Sequence, residues 1–143
     1  MKHRHRARRL ALQALCCLDA QGDDAMDLAL AFVREGRESL DVIAIAERMT
    51  RDAWAARDRA DQRMATHSTH WDVPRMPVVD RSILRLACWE LAAGDAPPKV
   101  VINEAVRLAK EFSTAESPRF INGVLDAIVR DHPDKTPPTP QDD

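Results

Sequence analysis

Apolar residues recur at the helical period along nearly the whole chain. Near the start, one face of a helix is marked by Ala7, Leu10, Ala11, Ala14, Leu15 and Leu18. The same period predicts further helices over about 26–34, 42–64, 79–93, 101–112 and 117–128. No stretch alternates apolar and polar residues as a half-buried strand would. The pattern therefore predicts an all-α protein.

Breaks in the helical pattern indicate how the chain is organised. Residues 66–77 read Thr-His-Ser-Thr-His-Trp and then include two prolines, which end helices. We predict a hinge there, between an N-terminal subdomain of about 1–72 and a C-terminal subdomain of about 73–131. Gly94 is placed to stop the helix over 79–93. The polar, proline-rich segment 132–143 is predicted to be a disordered tail.

Composition is that of a soluble globular domain. The chain has 143 residues, of which 45% are hydrophobic and 31% charged, and no apolar run approaches the ~18 residues that span a bilayer. Its three cysteines, Cys16, Cys17 and Cys88, form no CxxC pair. We therefore expect reduced, buried thiols in a cytoplasmic protein, without a metal or redox role.

Positive charge is concentrated at the start of the chain. The first nine residues hold five Lys or Arg, two His and no acid, which leaves 16 basic and 23 acidic residues in the remainder. Such a segment on an anionic body favours attraction to a polyanion such as nucleic acid. Because the segment runs straight into the first helix, we expect its arginines on the exposed side of that helix. A solubilising tail or a targeting presequence is the alternative interpretation.

Gly123 interrupts the apolar pattern of the last predicted helix. A glycine inside a helix costs ~1 kcal/mol relative to alanine, so we predict that another helix approaches closely there. Beside it, Asn122 either satisfies a buried backbone group or reads a base edge, and the sequence leaves both open. His67 and His70 have only a loosely metal-like spacing, and a polar loop is favoured over a zinc site.

Four blocks of sequence, in order, resemble the NusB family of bacterial transcription antitermination factors. The first, 7–15, reads Ala-Arg-Arg-Leu-Ala-Leu-Gln-Ala-Leu, and the second, 78–91, includes Val-Asp-Arg-Ser-Ile-Leu-Arg-Leu. The strongest are 98–112, with Val-Val-Ile-Asn-Glu-Ala-Val-Arg-Leu-Ala-Lys, and 117–126, with Ser-Pro-Arg-Phe-Ile-Asn-Gly-Val-Leu-Asp. The resemblance covers essentially 4–130 and is weak in the middle. On these motifs the chain is identified as a member of the family.

The resemblance implies a NusB-like helical bundle of about six to seven helices, arranged as two three-helix subdomains joined by a connecting helix. It implies no catalytic activity, no cofactor and no membrane association. Family members bind single-stranded boxA RNA of rRNA leader transcripts together with NusE, a small-subunit ribosomal protein. They act in the RNA polymerase antitermination complex and support ribosome biogenesis. Both monomers and homodimers occur among relatives, so the oligomeric state stays open.

The resemblance also implies which residues bind. The RNA contacts map to His3, Arg4, His5, Arg6, Arg8, Arg9, Ser117, Arg119, Phe120 and Asn122. The contacts with NusE map to Asp80, Arg85 and Glu116. We predict that alanine at Arg6, Arg8 and Arg9 together weakens boxA binding with little effect on thermal stability.

Two features of the chain depart from the family pattern. Cys16 stands where relatives often have tyrosine or another aromatic residue, and Pro118 removes a backbone N–H from the start of the last helix. Low aromatic content and a net charge of −2 predict weak RNA binding by the protein alone, so a basic partner would have to supply further charge.

Two other classes of protein remain as alternatives. One is a helical protein–protein adaptor. The other is an rRNA-processing accessory module without boxA specificity, since the N-terminal domains of some rRNA cytosine methyltransferases resemble NusB. A methyltransferase would need a cofactor-binding domain after residue 130, which 143 residues do not accommodate.

Overall fold

The computed structural model describes residues 2–67 and 72–131, and these ranges form seven α-helices. The helices are α1 (Lys2–Gln21), α2 (Met26–Glu35), α3 (Leu40–Ala55), α4 (Arg57–His67), α5 (Val78–Ala93), α6 (Pro98–Phe112) and α7 (Ser117–Asp131). The two described ranges contain no strand, and the predicted all-α fold is confirmed. The predicted tail at 132–143 and the centre of the predicted hinge, 68–71, lie outside the described residues.

The apolar faces predicted from the sequence meet in one continuous core. α1 packs against α2, α3 and α5, while α5 also contacts α4, α6 and α7. Leu15 of α1, Met49 of α3, Leu84 of α5 and Leu125 of α7 are all buried in this cluster. The core therefore draws on both predicted halves of the chain, and α1 packs against helices from each half. The division into two subdomains stays a prediction.

The single helix predicted over 42–64 is in fact two helices, so that prediction is wrong. The break lies at Ala56, whose φ of −94° and ψ of 9° leave the helical conformation. The side chain of Arg57 donates a 2.8 Å hydrogen bond to the carbonyl oxygen of Trp54, a group that an uninterrupted helix would pair with a backbone N–H. Apolar residues continue at the same spacing through the break, so the period gave no sign of it.

Gly94 ends α5 as predicted. Its φ of +73° lies in the left-handed region, where glycine carries no Cβ penalty, and its N–H bonds the carbonyl of Glu90 at 3.0 Å. At the start of α3, the Ser39 hydroxyl accepts a 3.3 Å hydrogen bond from the N–H of Val42. These two ends show local capping rules operating as the sequence indicates.

The three cysteine thiols are free. Cys88 is buried, and burial raises the pKa of its thiol to about 12. Burial also raises the pKa of the Cys16 thiol, although Cys16 and Cys17 are only half-buried rather than buried as expected. High thiol pKa values leave Cys16 and Cys88 protonated and unreactive at neutral pH.

Gly123 does not mark a close helix contact, so that prediction is wrong. A Cβ atom built at Gly123 would meet no other heavy atom of the described residues within 4 Å, and both it and Asn122 are exposed. Asn122 therefore does not serve a buried backbone group. Packing among the described residues does not explain the glycine.

Replacing Gly123 by alanine should raise the free energy of unfolding by about 1 kcal/mol, because alanine is the better helix former and its methyl group meets open space. Urea denaturation measures the change. Gly94→Ala is the matched control and should destabilise, since a left-handed conformation costs alanine roughly 1–2 kcal/mol. A less stable Gly123→Ala protein would contradict the expectation.

Candidate nucleic-acid interface

The basic segment forms the first turns of α1, where its side chains pair with glutamates of α5 and α6. The helices α1 and α5 run antiparallel: Asp19 of α1 pairs with Arg81 near the start of α5, and Arg8 pairs with Glu90 near its end. Packing of the apolar residues of α1 therefore fixes the first cations of the chain beside the last turns of α5.

Arg8 is buried and belongs to an internal ion-pair network. Its side chain is 1% exposed. Nε donates to one oxygen of Glu90 at 2.7 Å and Nη2 to the other at 2.8 Å, while Nη1 lies 3.5 Å from Glu104. This two-pronged geometry is the strongest form of an arginine–carboxylate pair. The prediction that the arginines lie on the exposed side of the helix is therefore wrong for Arg8.

Arg8 is buried because helices surround α1 on more than one side. The predicted apolar stripe would suit a helix packed on one side, but α1 contacts α2, α3 and α5. Leu12, one turn after Arg8 and outside the stripe, is also buried. A wider buried sector takes in a charged residue, which then needs a buried partner of opposite charge.

Arg4 and His5 extend the same network towards the surface. Arg4 Nη2 lies 3.4 Å from Glu90, and His5 Nδ1 lies 2.9 Å from Glu104. Both side chains are half-buried, and His3, before them, is exposed. Glu90 of α5 and Glu104 of α6 thus bind three groups of the predicted RNA-binding segment, Arg4, His5 and Arg8.

Arg6 and Arg9 form more open ion pairs on the flanks of α1. Arg6 Nε lies 3.0 Å from Glu38, in the segment before α3, and Arg9 Nη2 lies 2.5 Å from Glu111 of α6. The arginine side chains are 39% and 43% exposed. The guanidinium of Arg9 also lies over the ring of Phe112, 5.7 Å from its centroid. These two arginines are reachable from solvent.

The junction between α6 and α7 is held by a buried carboxylate. Asp80 of α5 accepts hydrogen bonds from the hydroxyls of Ser113, at 2.5 Å, and Ser117, at 3.0 Å. Thr114 adds a third hydroxyl, 2.8 Å from that of Ser117. Asp80 and Ser117 are both buried, so the sequence-predicted hydroxyl of Ser117 points into the protein rather than towards a ligand.

The start of α7 presents the other predicted RNA-binding groups. Glu116, Arg119 and Asn122 are exposed, and Phe120 is half-buried against the core. Arg119 and Asn122 are three residues apart and share one side of the helix. Within residues 2–67 and 72–131, Arg119 forms no ion pair.

Arg9 links the two regions that the sequence predicts to form one site. Its partners, Glu111 and Phe112, end α6, and the junction that carries Glu116 and Ser117 follows directly. The beginning of α1 therefore lies beside the segment that leads into α7. We expect one continuous surface to include both helix starts.

Arg85, predicted to contact a partner protein, is buried in a second network. It donates to both oxygens of Asp61, at 2.9 and 2.8 Å, and to Asp19 at 2.8 Å. Burial alone would lower the pKa of Arg85, but the two carboxylates raise it above its usual value. Of the three residues predicted to bind the partner, Asp80 and Arg85 are buried and only Glu116 is exposed. Their direct contact with a partner stays a prediction.

Sequence reasoning missed the acidic half of this site and one aromatic residue. The missed residues are Glu38, Glu90, Glu104, Glu111 and Phe112. A signal for Glu90 was available, because it sits among apolar residues of the helix over 79–93. A carboxylate in a buried face requires a buried cation, and the dense cationic segment at the start of the chain is a source of one.

None of the described helices is both long enough and apolar enough to cross a membrane. The described fold and site define a class of small, all-helical proteins that hold an arginine-rich helix start against glutamates of two later helices.

Comparison with known proteins identifies the family. The NusB family model matches residues 5–130. Transcription antitermination protein NusB of Symbiobacterium thermophilum is 42% identical over 136 residues, which cover 89% of each chain. NusB from T. maritima superposes with a TM-score of 0.81 and 30% identity, over 90% of this chain and 92% of that one. The chain belongs to the NusB family.

A second similar structure was solved as a complex with other molecules. In the crystal structure of antitermination factors NusB and NusE in complex with dsRNA, the matching chain is 27% identical, with a TM-score of 0.82 over 92% of this chain and 99% of that chain. Family membership confirms the predictions that the protein acts in transcription antitermination and is not an enzyme.

Proposed function

We propose that this chain binds boxA RNA of rRNA leader transcripts together with the ribosomal protein NusE, in the antitermination complex of RNA polymerase in the cytoplasm. The observation that carries the proposal is the match, over 92% of this chain, to a NusB crystallised with NusE and RNA. The matching chain of that complex has the same helical fold, with a TM-score of 0.82.

The exposed cations suit single-stranded RNA. Arg6 and Arg9 are open to solvent on α1, and Arg119 is exposed on α7, so phosphates along one strand can contact both helix starts. Guanidinium planes stack on unpaired bases as well as pairing with phosphate. Phe120 and Phe112, both half-buried near these arginines, offer ring edges or faces to a splayed base.

The buried residues act by positioning. Arg8 fixes the first turns of α1 through Glu90, and Asp80 fixes the start of α7 through Ser117. In this proposal neither Arg8 nor Ser117 touches RNA, although both occupy RNA-binding positions of the family pattern. Of the three residues assigned to the partner protein, only Glu116 is exposed, so it can meet a basic partner directly.

RNA binding over a salt series tests the proposal. The complex with NusE should prefer boxA over a scrambled sequence, and the double variant Arg6→Ala/Arg9→Ala should flatten the log–log salt slope by about 1.4, because each lost phosphate contact removes about 0.7. Arg34→Ala is the matched control, since Arg34 is also an exposed arginine paired with a glutamate, Glu47, but lies on α2. Fluorescence anisotropy of labelled RNA gives both quantities.

Equal binding of boxA and scrambled RNA would contradict the proposal and favour the adaptor alternative. A salt slope that falls equally in Arg34→Ala would show that general charge, rather than this surface, attracts the RNA. Gly123→Ala adds a further probe, because a stabilised protein with weaker RNA or NusE binding would place the partner against the exposed side of α7.

A further inference from the structure

The cations predicted to attract RNA already face carboxylates of the same chain. Every arginine and histidine between residues 4 and 9 lies within 3.5 Å of a glutamate. These residues are Arg4, His5, Arg6, Arg8 and Arg9. The glutamates come from three places: Glu38 before α3, Glu90 on α5, and Glu104 and Glu111 on α6. The free surface is thus far less positive than the sequence of the first nine residues indicates.

These ion pairs are of two kinds. Arg8 and Glu90 are 1% and 3% exposed and bonded through two N–H groups, so that pair is part of the fold. In contrast, Arg6 with Glu38 and Arg9 with Glu111 are between 25% and 43% exposed. Exposed pairs contribute about 0–1 kcal/mol, so they open at little cost.

We propose that Glu38 and Glu111 compete with RNA phosphates for Arg6 and Arg9, so that RNA binds by exchange with carboxylates of the protein. This inference rests on the proposed function. A carboxylate and a phosphate accept the same pattern of guanidinium N–H bonds, so one replaces the other without rearrangement of the arginine. Arg9 keeps its place during the exchange because its guanidinium also rests on Phe112.

The exchange makes the site selective for ligands with several phosphates in register. A single anion gains one guanidinium contact and loses one carboxylate contact, which leaves almost no net attraction. A strand that contacts Arg6, Arg9 and Arg119, which has no ion-pair partner among residues 2–67 and 72–131, displaces two carboxylates and gains three contacts. Glu38 and Glu111 therefore lower binding of short or misaligned anions more than binding of a strand that fits.

The test compares Glu38→Gln and Glu111→Gln with Glu47→Gln. Each substitution keeps side-chain shape and removes one negative charge, but Glu47 pairs with Arg34 of α2 rather than with a cation of α1. We expect each of the first two to tighten binding of a single-stranded RNA about two- to fivefold, the range of an exposed ion pair, and Glu47→Gln to change it less than twofold. Fluorescence anisotropy at matched salt measures the dissociation constants.

A second comparison tests whether the effect of the glutamates depends on Arg6 and Arg9. In the Arg6→Ala/Arg9→Ala background, Glu38→Gln and Glu111→Gln should no longer tighten binding. Equal effects of all three glutamine variants, or weaker binding by Glu111→Gln, would overturn the proposal. The ratios of variant to wild-type dissociation constants are measured on scrambled RNA as well as on boxA. If the protein shows no preference for boxA, the proposed function fails, but these ratios still test whether the glutamates compete with RNA. Urea denaturation checks that all variants fold.

Discussion

Replacing Arg8 by alanine should lower the free energy of unfolding by about 3–5 kcal/mol, the usual cost of removing one partner of a buried ion pair. The guanidinium is 1% exposed and neutralises Glu90, which is 3% exposed, with further help to Glu104. Without it, two carboxylates at the contact of α5 and α6 lose their buried cation. Urea denaturation followed by circular dichroism gives the change.

Two control variants separate lost pairing from lost packing. Arg107→Ala removes an exposed partner of Glu104, 3.5 Å away and 60% exposed, and should cost less than about 1 kcal/mol. Arg8→Met/Glu90→Leu removes both buried charges and should recover most of the stability, because the groups that lose a partner, Arg4 and Glu104, are only half-buried. If Arg8→Ala were as stable as Arg107→Ala, the buried pair would not hold α1 in place.

The same geometry corrects an expectation drawn from the sequence. Alanine at Arg6, Arg8 and Arg9 together was expected to weaken RNA binding with little loss of stability. That expectation assumed three exposed side chains, and Arg8 is not one of them. The informative variant for RNA binding is therefore Arg6→Ala/Arg9→Ala, which leaves the buried network intact.

The helical period and local capping predicted most of the fold because they depend on residues close in sequence. The all-α class, the helix over 79–93 and its end at Gly94 follow from spacing and from one residue that tolerates a positive φ. The break at Ala56 did not follow, because apolar spacing continues across it and the Arg57 side chain takes over a backbone partner. A helix interrupted without a change of period leaves no mark in the pattern.

The site was predicted as a set of residues but not as a set of contacts. Position in the family pattern identifies Arg8, Asp80 and Arg85 as important, yet it does not distinguish a group that touches a ligand from one that holds such a group in place. All three are buried and bonded within the chain. Arg8 and Glu90 are 82 positions apart in the sequence. Only the packing of α1 on α5 brings them together, so the local sequence pattern could not predict their pairing.

The second large loss of stability is expected on substitution of Asp19. This residue links α1 to α5 at the end of α1 opposite Arg8. Its carboxylate bonds Arg81 at 2.5 and 3.1 Å and Arg85 at 2.8 Å. Arg81 in turn donates to the carbonyls of Val73 and Met76, so the segment before α5 depends on the same group. Asp19→Asn should lower the free energy of unfolding by about 3 kcal/mol at neutral pH, since the buried Arg85 and the half-buried Arg81 lose a shared negative charge.

The loss should depend on pH in a defined direction. Burial alone would raise the pKa of Asp19, but the hydrogen bonds and charges of Arg81 and Arg85 outweigh burial and hold it below its usual value. A carboxyl with a lowered pKa in the folded state stabilises the protein above its unfolded pKa of about 3.9, and this contribution is lost as the pH falls through the folded-state pKa. The stability difference between the wild type and Asp19→Asn should be constant above about pH 5 and shrink below about pH 4.

Asp126→Asn is the matched control for this titration. Asp126 is 52% exposed and pairs with Arg130 one turn further along α7, so its substitution should cost less than about 1 kcal/mol. Urea denaturation of the three proteins between neutral pH and about pH 3 gives the differences directly. A gap between wild type and Asp19→Asn that stayed constant down to the lowest pH would mean that shape or hydrogen bonding, and not the charge of Asp19, joins α1 to α5.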